Sequence, residues 1–373
     1  MPQGPDWRTV KIVYYSFGGR YADNPRALHQ RLLARGDVDA EHVWLAGPGR
    51  TFPAGTATAA WGGDETVRAL ESADLVVADN HLPAFRKKPG ATYLQTWHGT
   101  PLKRIHRDAV FTQPDGEDVM RRLDDDVTRW DVLLAPSDAA HGPLTGAFRY
   151  TGHAPVTGYP RNDALVGERA ARRREEVREQ LGIPAGRTAV LYAPTWRDDE
   201  RFGDGPDFRL ALDLDRFHRR LGGDAVLLLR LHYLVAGALG TVDAPGVLDV
   251  SAHPDINDLY LAADVLVSDY SSAQFDFAVT GKPVVSYVYD IERYRDSLRG
   301  FYFDPYAIAP GPMLTTTEEV LDAVADLDAL RAEHAERYRV FRQRFCHRED
   351  GRSADRVLDL VLSPAPAPME VRS

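Results

Sequence analysis

Short blocks of consecutive apolar residues, each stopped by glycine, proline, serine or asparagine, alternate along this chain with stretches whose apolar positions return every three or four residues. That alternation predicts β-strands wound with helices, with the strands buried on both faces. Val10–Ser16 (VKIVYYS) reads as a strand that breaks at Phe17-Gly18-Gly19 before a helix from Asn24 to Arg35. His42–Ala46 is a second strand, and Thr51 to Gly63, rich in glycine, alanine and threonine, reads as a loop. Ser72–Asn80 closes a helix and makes a strand, Ala91–Gln95 is another, and Asp131–Ser137 is a strand ending in a turn before a helix to Phe148. Pro155–Asp163 (PVTGYPRND) carries the breakers of a linker, which places a domain junction near Arg161, with residues 1–161 in front and 162–362 behind.

The second half opens on a charged helix, Glu168–Leu181, whose arginines read as a solvated face. Strands follow at Thr188–Ala193, Ala225–Leu231 and Pro283–Tyr289. Thr317–Leu362 is helical, and in two-domain folds such a segment often packs back over the first domain; residues 363–373 read as a disordered tail. Between these lies Asp255–Phe277, a helix, a buried run at Val265–Val267, a turn through Ser268-Asp269-Tyr270-Ser271-Ser272, and a second helix. Ser271 and Gln274 have capping-box spacing, so Ser271 is expected to cap that helix and turn its first N–H groups toward the strand's carboxyl end, where α/β sheets bind ligands and helix starts favour phosphate. A plain helix cap is the competing reading. Ser72–Asn80 echoes Ala262–Tyr270 position for position, Asp74 matching Asp264 and Asp79 matching Asp269. The echo fits two similar doubly wound domains facing across a cleft.

Composition narrows the classes. The chain has 373 residues, 44% of them hydrophobic, a comfortable content for two cores. A net charge of −10 without a long basic run argues against nucleic acid as partner. One cysteine, Cys346, excludes an internal disulfide and a multi-cysteine zinc site. No signal peptide or membrane-length apolar run is present, which predicts a soluble cytoplasmic protein.

Chemistry gathers at the strand ends. The loop Thr96-Trp97-His98-Gly99-Thr100-Pro101-Leu102-Lys103 puts an imidazole, a hydroxyl and an ammonium together, with Gly99 allowing close approach of a substrate. An imidazole titrates near neutrality and suits removal of a proton from an attacking hydroxyl. His106, His141 and His153 read instead as surface residues. Arg230 and His232 end a strand in the other half and could donate to phosphate oxygens, or His232 could be a satisfied interface residue. Asp269 lies outside any DxD pattern and Asp124-Asp125-Asp126 reads as a solvated helix face, so no metal and no cofactor is expected.

Five motifs then carry a resemblance. WHGTPLKRI (Trp97–Ile105), YAPTWRDD (Tyr192–Asp199), RLHYL (Arg230–Leu234), DINDLYLAADVLVSDYSSAQFDFA (Asp255–Ala278) and RGFYFD (Arg299–Asp304) resemble the CDP-glycerol glycerophosphotransferase family. That family comprises the teichoic acid primases and polymerases and related capsule polymerases of bacteria. The resemblance implies a GT-B fold, two Rossmann-like domains across a cleft, with the nucleotide held mainly by the second. It implies transfer of glycerol phosphate or a similar alditol phosphate from a CDP donor to a hydroxyl of a lipid-linked or polymeric glycan acceptor, releasing CMP.

Carried over by motif, His98 is the general-base candidate and His232 contacts the donor diphosphate. Ser271 and Ser272 hold the diphosphate, Thr195, Arg197 and Arg230 line the donor pocket, and Gly99, Thr100, Lys103 and Asp269 complete the binding set. The chain begins almost at its first strand and so resembles the short, primase-like members. An acceptor on a lipid implies peripheral contact with the inner face of the cell membrane, for which Arg104, Arg107, Arg121 and Arg122 are candidates. A GT-B nucleotide-sugar glycosyltransferase or epimerase is the alternative. A catalytically silent nucleotide-binding subunit is a third reading, opposed by retention of His98 and His232.

Overall fold

The computed structural model describes residues 9–109, 116–195, 210–231, 242–293 and 300–362. Two six-stranded parallel sheets organise them. The front sheet holds β1 (Val10–Tyr15), β2 (Ala40–Ala46), β3 (Ala57–Ala60), β4 (Leu75–Ala78), β5 (Thr92–Gln95) and β6 (Val132–Leu133), in spatial order β3-β2-β1-β4-β5-β6. The rear sheet holds β7 (Thr188–Ala193), β8 (Ala225–Leu229), β9 (Val247–Asp249), β10 (Val265–Ser268), β11 (Val284–Tyr287) and β12 (Met313–Leu314), in order β12-β11-β10-β7-β8-β9. Matching β7 to β1 and β10 to β4 makes the two orders the same. The order is that of the dinucleotide-binding doubly wound sheet, and two such units facing one another form the expected GT-B architecture.

Neighbouring residues on each strand feed opposite faces, so each sheet has two cores. Val13, Val76 and Tyr93 pack with Trp130, Leu144 and Phe148, while Ile12, Tyr14 and Leu94 pack with Leu28, Leu32 and, from the end of the chain, Val357 and Leu358. In the rear sheet Leu191, Leu228 and Leu266 meet Leu259, Phe275 and Phe341, and Val190, Leu227 and Val267 meet Phe217, Val320 and Leu330. The stretch 317–362 forms helices Thr317–Ala325, Leu327–Phe345 and Ser353–Leu362, the final one resting on the front sheet. Asp163 fixes that return by accepting from the N–H groups of Ser353 and Ala354 at 2.9 and 2.8 Å.

Four expectations are corrected. The loop at 51–63 contains β3, an edge strand whose small, mostly exposed residues hide its period. The arginines of helix Glu168–Gln180 are not simply solvated: Arg174 and Arg178 bind the carbonyls of residues 261–263 and the Asp264 carboxylate, and Arg173 binds Asp258. Asp126 is fully buried, its carboxylate accepting from His81 Nδ1 (3.1 Å), Leu82 N (3.2 Å) and Trp130 Nε1 (3.1 Å). His106 lies buried beside it, its ring against His81 and Phe148. Spacing alone does not reveal that one aspartate of three turns inward.

Candidate functional site

Both sheets reverse strand order at one point, between β1 and β4 in front and between β7 and β10 behind, and both points are closed by an aspartate at a strand end. Asp79 accepts from Ser16 Oγ at 2.5 Å and Phe17 N at 2.9 Å. Asp269 accepts from Thr195 N at 2.9 and 3.1 Å and from Thr195 Oγ1. Such switch points are where crevices open in doubly wound sheets. The Asp269 carboxylate therefore fixes the loop after β7 and sets Thr195 at the crevice.

His98 leaves β5 one residue after Trp97, whose φ of 52° puts a non-glycine residue in the left-handed region. Its imidazole lies on the Trp97 ring with centroids 4.2 Å apart, and its Nδ1 lies 2.6 Å from the Asp79 carbonyl oxygen. A carbonyl only accepts, so Nδ1 carries the proton and Nε2 keeps its lone pair. Burial lowers the imidazole pKa below its usual value, and Arg161 and His81 add to this; the Asp79 carbonyl bond and the Asp23 charge work the other way. The ring is thus neutral at neutral pH and able to take a proton. Thr100 beside it is buried, and Lys103 pairs through its backbone with Phe301 of the rear half.

The two halves touch at the next residue. A Cβ built on Gly99 would lie 2.7 Å from Ser272 Oγ and 3.0 Å from Ser272 Cβ, so only glycine lets the His98 loop settle on the serine turn. In that turn Ser271 Oγ accepts from Ala273 N at 3.1 Å, whereas the cap of helix Ala273–Ala278 is Ser272, without a side-chain cap bond. The expected Ser271–Gln274 capping box is not formed; Gln274 turns inward and is buried. Both serine side chains remain partly accessible at the crevice.

Arg230 is placed differently from expectation. Its Nη1 donates to the carbonyls of Val250, Ser251 and His253 at 2.8, 2.8 and 2.6 Å, so that nitrogen holds the 250–253 turn rather than a ligand. His232 and Arg197 lie outside the described residues. Of the four arginines considered for a membrane, Arg107 pairs with Asp124 and Arg121 with Asp118. Among the described residues no helix is long and apolar enough to cross a membrane, and no group of three His, Cys, Asp or Glu side chains is arranged to hold a metal ion.

Sequence reasoning missed the polar cluster behind His98. Arg161, used above only to mark a junction, is buried with its Nη1 on Asp23 (2.8 and 2.7 Å) and on the His98 carbonyl (2.9 Å), and its Nη2 on Asp276 (2.7 Å). Asn24 donates to the Trp97 carbonyl at 3.0 Å and accepts from Arg161 N at 3.1 Å. Asn162 adds a bond to Asp276 at 3.0 Å, and Asn257 one to the Arg161 carbonyl at 2.6 Å. These partners are distant in sequence, and the available signal was an arginine, an asparagine and an aspartate (Arg161, Asn162, Asp163) set among breakers where a plain linker would need none.

With the geometry in hand, comparison with known proteins is specific. A family model described as CDP-Glycerol:Poly(glycerophosphate) glycerophosphotransferase matches residues 5–363. The chain is 36% identical to a teichoic acid glycerol-phosphate transferase of Staphylococcus aureus (strain NCTC 8325 / PS 47), covering 94% of this chain and 92% of that one. It is 35% identical to a teichoic acid poly(glycerol phosphate) polymerase of Bacillus subtilis (strain 168) over 94% of its own length but only 48% of that protein's, so it spans about half of that relative. A solved structure of the wall teichoic acid polymerase TagF superposes with a TM-score of 0.87 at 33% identity, over 94% of this chain and 88% of that one.

Proposed function

Since the chain belongs to the CDP-glycerol:poly(glycerophosphate) glycerophosphotransferase family, we propose that it moves glycerol phosphate from CDP-glycerol to a hydroxyl of a cell-envelope glycan in teichoic acid synthesis. The observation that supports this reading is the seating of Gly99 against Ser272, which puts the loop of a neutral imidazole from one half in contact with a serine turn from the other. A hydroxyl attacking phosphorus needs a proton acceptor on one side and hydrogen-bond donors around the phosphate on the other.

In this reaction the acceptor oxygen forms a bond to the phosphorus next to glycerol while that phosphorus loses the oxygen it shares with the cytidylyl phosphate, and CMP leaves with that oxygen. His98 Nε2 takes the hydroxyl proton. Ser271 and Ser272 donate to the diphosphate, and Thr195, whose hydroxyl and N–H hydrogens are both committed to Asp269, lines the pocket, with His232 and Arg197 as further donors from segments outside the described residues. We take the donor-binding unit to be residues 162–362 and the acceptor unit 1–161, with the last helix returning to the front. A lipid-linked acceptor would set the reaction at the inner face of the cell membrane, reached peripherally, with Arg104 and Arg122 as the basic contacts left after the pairings above.

The test is incubation of the purified protein with CDP-glycerol, CDP-ribitol and UDP-sugars, each with a lipid-linked disaccharide acceptor. CMP release from CDP-glycerol with acceptor extension is expected. Turnover of a UDP-sugar with CDP-glycerol left intact would replace this reading with the nucleotide-sugar one.

A further inference from the structure

A base on one sheet and a phosphate turn on another work together only if something holds the separation between them. Among the described residues neither side chain does this itself: the His98 imidazole bonds to Asp79 in its own half, and the Ser271 hydroxyl bonds within the turn it sits in. The buried guanidinium behind them touches both. Its Nη1 holds the His98 carbonyl and Asp23 in the front half, and its Nη2 holds Asp276, which lies one helical turn beyond Ser272. Arg161 itself sits on the short 3₁₀ turn Pro160–Leu165, where the chain passes between the sheets.

Backbone strain gathers at the same place. Asp23 and Trp97 are both non-glycine residues with positive φ, 58° and 52°. A residue so placed is strained and persists only where its surroundings impose it. Here Asn24 ties the two together, and Arg161 ties both to the rear half. We infer that Arg161 is a positioning residue for the transfer reaction: its guanidinium locks the His98 loop, the strained start of helix Asp23–Arg35 and the helix following Ser272 into one body and so sets the gap in which the phosphate is passed. The inference rests on the transferase reading above. Lysine cannot substitute, because the bonds diverge from two nitrogens of a planar fork, whereas an ammonium presents a single point. Other ties also hold the halves together: Arg26 to Asp255 at 2.8 Å and Asn257 to the Arg161 carbonyl lie away from the His98 loop, and the Lys103–Phe301 bridge, with Tyr302 N on the Leu102 carbonyl at 2.9 Å, holds that loop at its far end, four or more residues beyond His98.

The experiment compares Arg161→Lys and Asp23→Asn with the unaltered full chain, measuring kcat, donor affinity by calorimetry, the pH profile of kcat, and amide hydrogen exchange over residues 96–101 and 273–278. Arg161→Lys is expected to lower kcat by about a hundredfold, as a small misplacement of a reacting group does. Its affinity for CDP-glycerol should stay within about threefold of the unaltered value, a difference well under 1 kcal/mol. Exchange in both segments should rise. The charged groups around the His98 ring are Asp23, Arg161 and His81, with the Asp79 carbonyl on Nδ1. Removing the Asp23 charge should therefore move the acid limb of the kcat profile to lower pH, which loss of packing alone does not do.

Turnover by Arg161→Lys within about threefold of the unaltered chain overturns the inference, as does a loss of donor affinity matching the loss of turnover. Should Arg161→Lys fail to fold, Asp23→Asn decides by its pH profile and kcat, an unmoved profile with full turnover overturning it. If the unaltered protein releases no CMP from CDP-glycerol, the transferase reading falls by itself, and unchanged exchange at 96–101 and 273–278 in Arg161→Lys still overturns the clamp.

Discussion

The strand pair β1/β4 and the strand pair β7/β10 are built with nearly the same words, and the structure shows them making the same bonds. Asp74 and Asp264 open their strands by accepting from the N–H of Lys11 (3.0 Å) and of Ala189 (2.8 Å). Asp79 and Asp269 close them by gripping a hydroxyl and an N–H on the neighbouring strand's exit, Ser16 and Phe17 in one case, Thr195 in the other. Past that point they part. After β10 the chain turns through Ser271 and Ser272 straight into a helix, whereas after β4 it runs from Asn80 to Ala91 without one. The crevice in front is furnished by the next strand along, through His98, whose Nδ1 rests on the carbonyl of the closing aspartate. On the proposed reading, one frame presents hydroxyls to the phosphate and its copy presents an imidazole to the attacking hydroxyl.

The largest expected effect breaks the comparison on its front side. His98→Ala should reduce turnover by about 10²- to 10⁴-fold, the usual worth of a general base. Affinity for CDP-glycerol should be kept, because the base acts on the acceptor. Single-turnover rates and a calorimetric titration read the two separately, and retention of full activity would remove His98 from the chemistry.

The shared frame was legible because it is local: apolar blocks, breakers and the two aspartates of each repeat all lie within a few residues of each other. The His98 loop and the serine turn were legible as motifs, yet their contact was not, since Gly99 and Ser272 lie far apart in the chain and meet only through the relative placement of two sheets. The same distance concealed Arg161, which spacing showed only as one member of a linker. Asp126 and the arginines of helix Glu168–Gln180 were misread for a related reason. Charge runs look solvated until a buried donor set or a row of strand-end carbonyls is known to lie beside them.

Acid adds a second contrast, because the front half buries histidines that titrate below neutrality, whereas the lysine buried behind has lost its proton by then. In front, burial pushes His29 and His106 down to about 4, with His42 and His81 respectively adding to it. Above pH 6.5 such a histidine is neutral folded or unfolded and contributes nothing. Between 6.5 and 4 the unfolded chain binds a proton that the folded one refuses, so stability falls as pH falls, by about 2 kcal/mol for each at the lower end once solvent screening of these incompletely desolvated rings is discounted. Behind, burial lowers Lys282 to about 7, a loss spread from pH 10.5 down to 7 and complete at neutrality. Near the junction, burial raises Glu349 to about 8, which costs stability as pH rises from 4.5 to 8 and restores it on acidification. Trp44, Trp61, Trp97 and Trp130 all belong to the front sheet's packing. Glu349, and Asp79, whose pKa burial also raises, restore stability over the same range, so the histidine contribution is read by difference: in urea unfolding followed by tryptophan fluorescence, the midpoint of His106→Gln relative to the unaltered chain should rise from pH 7 to pH 5. A difference that does not change with pH would show that the His106 ring is protonated without penalty.

The smallest effect breaks the rear side. Ser271→Ala with Ser272→Ala removes two hydroxyls, one of which spends its oxygen on Ala273 N and keeps its hydrogen to offer. Each hydrogen bond to a charged group contributes about 1.5–3 kcal/mol at best, and water entering the space left by the hydroxyl restores part of it, so the pair should cost about tenfold to a hundredfold in donor affinity. Since Gly99 rests on Ser272 Cβ as well as Oγ, alanine keeps the seat on which the His98 loop lies. Turnover at saturating CDP-glycerol should then change less than affinity, the reverse of His98→Ala. An equal fall in both would mean that the hydroxyls act chiefly on the transferring phosphate as it passes to the acceptor, and unchanged affinity would send the diphosphate to another part of the crevice.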